Sequence, residues 1–171
     1  MRALVAAAVL VMLAVDPDPA TGQVAAERQD VFAKLQGQWT GSGVLMGRPA
    51  EFSMRWEAEG RPFVRLTFHN AWTGEDGGRI PVLTSVATYY LVGGAALGVW
   101  IDDRPQRIRL EAALTDSTVV TEWTADAERG RTEYIVRSAD EVLVRDVVYA
   151  DGSERLFAEA TYHRSATSRV R

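Results

Sequence analysis

The residues of this 171-residue chain that could do chemistry are few and scattered. Charged groups interrupt otherwise apolar stretches at Glu122, beside Trp123, at Arg145 and Asp146 within VLVRDVVY, and at Glu159 within LFAEATY. A charge on the inner face of a strand needs a partner or water, because an unpaired buried charge is costly. An internal Arg would hold a carboxylate through its forked donors, whereas an internal carboxylate would serve as an acid–base group. Successive strand residues face opposite ways, so Arg145 shares a face with Leu143, Val147 and Tyr149, and Asp146 with Val142, Val144 and Val148. Both faces are mixed, and the pattern alone does not orient the strand. Arg145 is taken as the anionic anchor of a binding site, with Tyr90, Trp100, Trp123 and Tyr134 as its aromatic wall. Asp102 and Asp103 precede Arg104-Pro105 and read as turn surface rather than as a carboxylate pair.

Nucleophilic and metal chemistry have little to work with. There is no cysteine, which excludes disulfides, thiolate metal sites and a Cys nucleophile. The two histidines, His69 and His163, are isolated and lack a third ligand for zinc. Gly93-Gly94 is a pair of turn residues, not a phosphate loop. No metal and no cofactor are expected. The net charge of −4, without a basic block, offers no electrostatic case for nucleic acid.

The elements that must position these groups are strands. Residues 51–59 alternate strictly, with Phe52, Met54, Trp56 and Ala58 on one face and Glu51, Ser53, Arg55, Glu57 and Glu59 on the other. Further strands are expected over 38–46, 62–70, 83–92, 95–102, 106–112, 117–124, 131–137, 141–149 and 155–164, separated by Gly, Pro and Asp punctuation. Asp151-Gly152 between two alternating runs is a strong hairpin signal. A short helix is expected over 27–35, and the break at 71–81 reads as a mobile loop at a barrel mouth. About ten strands joined by short turns predict an all-β fold, a single antiparallel β-barrel closed to remove its edges. A two-sheet sandwich is the alternative.

Ahead of these elements lies Met1-Arg2 and an apolar run over 3–15, too short for a membrane-spanning helix but of the length of a secretory core. The polar segment DPDPATGQVAA follows, with Val24 and Ala26 at small-residue positions before a cut. Residues 1–26 therefore read as a signal peptide and 27–171 as the barrel domain, with a secreted or periplasmic destination and no stable membrane span. Oligomeric state is open.

The segment LQGQWTGSG, 35–43, carries a resemblance. Its Gly37-Gln38-Trp39 is similar to the G-x-W of lipocalins, and Gly37 through Gly43 is similar to the G-x-W-x-G-x-G of nitrobindins. The chain thus resembles the calycin-type barrels, which include lipocalins, fatty-acid-binding proteins and nitrobindins. That resemblance implies that Arg164, in ATYHRS, stacks over Trp39 and closes one barrel end. It also implies that a haem-binding member would carry a His in its last strand. The matching position falls near Phe157, which cannot ligate iron, and haem is not expected.

Together these readings point to binding of a small hydrophobic or amphipathic molecule inside an exported barrel. The alternatives are a small-molecule isomerase or cyclase using the cavity, and an envelope structural or protein-interaction domain.

Overall fold

The computed structural model describes residues 31–60, 62–104 and 107–166. The expected leader over 1–26 lies outside the described residues, as does the first part of the expected helix. What is described of that helix is one turn, α1, over residues 31–35. Among the described residues no helix is long and apolar enough to cross a membrane.

Ten strands follow: β1 (Gly37–Leu45), β2 (Arg48–Ala58), β3 (Phe63–Thr73), β4 (Arg79–Val92) and β5 (Ala95–Asp102), then β6 (Arg107–Leu114), β7 (Thr118–Thr124), β8 (Arg129–Val136), β9 (Glu141–Ala150) and β10 (Ser153–Arg164). Each pairs antiparallel with its sequence neighbours, and β1 pairs with β10, so the sheet is a closed barrel rather than a sandwich. Two-residue turns explain the tight hairpins. Met46-Gly47, Gly93-Gly94 and Asp151-Gly152 all have positive φ at both positions, the backbone that matches strand twist.

Side-chain alternation fills the barrel. On β2, Ala50, Phe52, Met54 and Trp56 are buried while their neighbours are exposed or half-buried. At one end α1 inserts Val31, Phe32 and Leu35. Phe32 lies 5.6 Å from Trp56 and 5.7 Å from Tyr89, and Trp56 meets the Tyr134 ring edge-on at 5.1 Å. The same end holds Trp39, whose indole donates to the Leu35 carbonyl at 2.7 Å. Arg164 lies over the Trp39 ring at 4.1 Å and donates to the carbonyls of Gln36, Lys34 and Ala139. The stacking expected from the sequence is present, and it seals the α1 end.

The expected loop over 71–81 is mostly strand. A bulge between Asn70 and Ala71 lets β3 and β4 continue pairing through Thr73 and Arg79, leaving only a short turn. The extra residue is Val82 on β4, skipped between Pro81 and Leu83, and it leaves Val82 and Leu83 both half-buried, which breaks the alternation that marks a strand in sequence.

Candidate functional site

Aromatic packing fills the α1 end, and among the described residues an inward cavity lies in the opposite half of the barrel. This cavity, of about 70 Å³, opens between the turns, with Phe52, Phe68, Trp100, Phe157 and Tyr162 among its walls. Phe68 packs at 5.7 Å from Trp100, and Phe52 at 6.0 Å from Tyr162. A larger hollow of about 620 Å³ lies outside the barrel, over the outward side chains of β1 to β3. It is an open surface lined by such residues as Arg55, Glu57, Arg65 and His69. The smaller, inward cavity is the better candidate because its walls are apolar and its polar groups converge.

Asp146 is the charged residue of the cavity lining. It sits on β9 in line with buried Val142 and Val144, and it lines the cavity. Thr132 donates its hydroxyl to Asp146 Oδ1 at 2.9 Å, and the Trp123 indole donates to the same oxygen at 3.2 Å. Burial pushes its carboxyl up to about 6, against the lowering effect of these two donors. Trp123 reaches Asp146 because it lies across Gly130, its register partner on β8. A Cβ at Gly130 would run into the Trp123 indole and the Val147 carbonyl.

The remaining polar groups are neutral. Asn70 is 6% exposed, and its side-chain Oδ1 is buried with no hydrogen-bond partner. Tyr134 and Tyr162 are both held well above the ordinary tyrosine range, chiefly by burial, and remain protonated phenols at neutral pH. Asp102 belongs to the same barrel end but is already paired. Its side chain is fully buried and meets the Arg104 guanidinium at 2.6 Å, while the Trp100 indole donates to it at 3.2 Å. Burial pushes Asp102 up, but the Arg104 and Trp100 donors outweigh that and hold it below the usual carboxylate range. The reading of Asp102 as turn surface is therefore corrected: it ends β5 on the inward face, opposite Ser85.

The structure divides the residues expected from sequence. Trp100 and Tyr134 line the cavity, and Trp123 braces Asp146. Tyr90 does not: it is 45% exposed on the outer face of β4, packed at 5.3 Å against Phe63. Arg145 also faces out, with a side chain 50% exposed and 3.7 Å from Glu159 on the neighbouring strand. The placement of Arg145 as an internal anion anchor is corrected, and an exposed pair of this kind contributes little to stability. Glu122 is likewise outside, accepting from the Tyr149 hydroxyl at 3.1 Å.

Neither histidine lines the inward cavity. His163 is exposed beside Arg164, and His69 is exposed on β3, 3.1 Å from the Thr84 hydroxyl. Phe157, not a histidine, lines the inward cavity from the last strand. Among the described residues no group of three or more His, Asp or Glu side chains could hold a metal ion.

Neither a protein-family model nor a curated protein sequence matches the chain. Among solved structures it is similar to Rv2717c from M. tuberculosis, with 16% identity over 88% of this chain and 100% of that one, at a TM-score of 0.61. It is also similar to the S-type phycobiliprotein lyase CPES from Guillardia theta, with 13% identity over 88% and 99% of the chains and a TM-score of 0.57. At such identities the likeness shows the fold: a ten-stranded antiparallel barrel resembling calycin-like folds.

Proposed function

We propose that the protein binds a small hydrophobic or amphipathic molecule in the half of its barrel away from α1. The observation that carries this reading is the inward cavity, walled by aromatic rings and furnished with a few converging polar groups. At about 70 Å³ it is well below the roughly 300–1,000 Å³ of a drug-sized site, so the occupant is compact. Native mass spectrometry of the purified protein should find a retained molecule that is released on denaturation. Ala158→Leu, which adds bulk at a lining position, should abolish retention while leaving the fold intact. A bare mass for the wild type, with no change in tryptophan fluorescence across a panel of small aromatic compounds, would refute the proposal and favour an interaction domain.

Acid–base catalysis is a second reading, favoured by one observation: a cavity carboxyl pushed to about 6 is poised to exchange a proton near neutrality. If it holds, turnover of a bound molecule should follow a single ionisation near that pH and vanish in Asp146→Asn.

A further inference from the structure

We propose that the occupant of the cavity is a cationic amine with a compact apolar body, its ammonium group held by Asp146 and Asn70. This rests on the cavity being a binding site and names the chemistry it selects. The cavity lining contains a carboxylate but no Lys, Arg or His. Both donors that reach Asp146 use Oδ1, and neither reaches Oδ2. A carboxylate removed from bulk water is costly unless a cation accompanies it. At the same barrel end Asp102 shows the satisfied arrangement, with Arg104 at 2.6 Å. Asp146 has hydrogen bonds but no such cation.

The second acceptor comes from a different strand. Asn70, on β3, lines the cavity with its Oδ1 buried and unpartnered. An ammonium group carries several N–H donors and a full charge, so it satisfies a carboxylate oxygen and an amide oxygen together. The rings of Phe68, Trp100 and Phe157 supply an apolar wall and faces that attract a cation. A carboxylate ligand meets the opposite situation, since it would lie beside Asp146 with no positive group to hold it.

Ionisation of Asp146 should gate the affinity. The groups facing it are Thr132, Tyr134 and Gly130 from β8, Trp123 from β7 and Tyr162 and Ala158 from β10, none of which is cationic or titrates near neutrality. The amine should bind fully above the Asp146 transition and progressively less below it.

Isothermal titration calorimetry with benzylamine, benzyl alcohol and benzoate tests this, because the three share a ring and differ in charge. At pH 7.5, roughly neutral conditions, benzylamine should bind at least about tenfold more tightly than benzyl alcohol, and benzoate more weakly than either. Asp146→Asn should weaken benzylamine by about tenfold or more and change benzyl alcohol less than about threefold. Lowering the pH to about 5 should weaken benzylamine in the wild type but not in the variant. Benzoate binding as tightly as benzylamine, or equal losses for all three ligands in Asp146→Asn, would overturn the amine assignment while leaving a binding barrel in place. Failure of all three to bind, together with a bare mass in native spectrometry, would remove the binding reading and the amine with it.

Discussion

Asp146 and Arg145 are adjacent in sequence, and which of them enters the barrel turns on one inserted residue. From the Asp151-Gly152 turn the β9–β10 ladder pairs Ala150 with Ser153 and Val147 with Leu156, then skips Phe157 and resumes with Asp146 opposite Ala158. Continued without the skip, the ladder would set Arg145 opposite inward Ala158. The bulge at Phe157 therefore selects an acidic interior over a basic one. No alternation in VLVRDVVY reveals this, because both faces of that strand are apolar apart from the charge. A bulge is a difference between two strands, legible only once their register is known. The inward carboxyl has a measurable cost. Its folded value of about 6 lies above the ordinary 3.8, so the folded state holds the proton more tightly than the unfolded chain. Stability should rise as pH falls through the window from about 6 to about 4, and the burden at neutral pH is on the order of 2–3 kcal/mol. Ligand-free Asp146→Asn should thus be more stable than wild type at pH 7.5 by an amount of that order, the gain vanishing near pH 4. Urea titrations at the two pH values check this, and a pH-independent difference would contradict it.

At the scale of elements, β1 was the most legible part of the chain. Trp39, Gly41, Gly43 and Leu45 occupy its inward face, and small residues follow the large one for a reason. A Cβ on Gly43 would collide with the Glu159 carbonyl, and one on Gly41 would come within 2.9 Å of the Tyr162 ring. The glycines bring β1 close under β10. Trp39→Ala should cost about 3–5 kcal/mol by leaving a void under α1. Arg164→Ala should cost less, about 1–3 kcal/mol, through loss of the stacking and of donors to three carbonyls. Arg164→Lys should recover only part of this, since an ammonium cannot reproduce the flat fork. Chemical denaturation reads all three, and a loss within the ordinary surface range for both alanine variants would show that this end does not depend on the pair. The β3–β4 extension was illegible for the same reason as Asp146. There too a bulge, at Val82 of β4, interrupts the pattern by which a strand is recognised.

Over the whole molecule, strand number and order were readable because short turns leave a run of antiparallel strands few alternatives, whereas short turns fit a sandwich as well as the closed barrel that is found. The destination of the protein is a separate proposal, that it is exported with loss of residues 1–26. N-terminal sequencing of the product outside the cytoplasm should start at Glu27, directly after the polar segment that ends at Ala26. Recovery of Met1 there would sink it. Closure itself has a further consequence. Every hairpin joins strands that are neighbours in the chain, but closure along the β1–β10 seam joins residues as far apart as Lys34 and Arg164, 130 positions. Such a contact closes the longest loop and is entropically the last to be favoured during folding. Until it forms, the sheet is an open ribbon with two bare edges, whose unpaired N–H and C=O groups can pair with another chain. Arg164, reaching across the seam to the carbonyls of Lys34 and Gln36, is then a latch against self-association as much as a stabilising contact. Its loss should appear first as aggregation during refolding, at concentrations where the folded protein still looks sound.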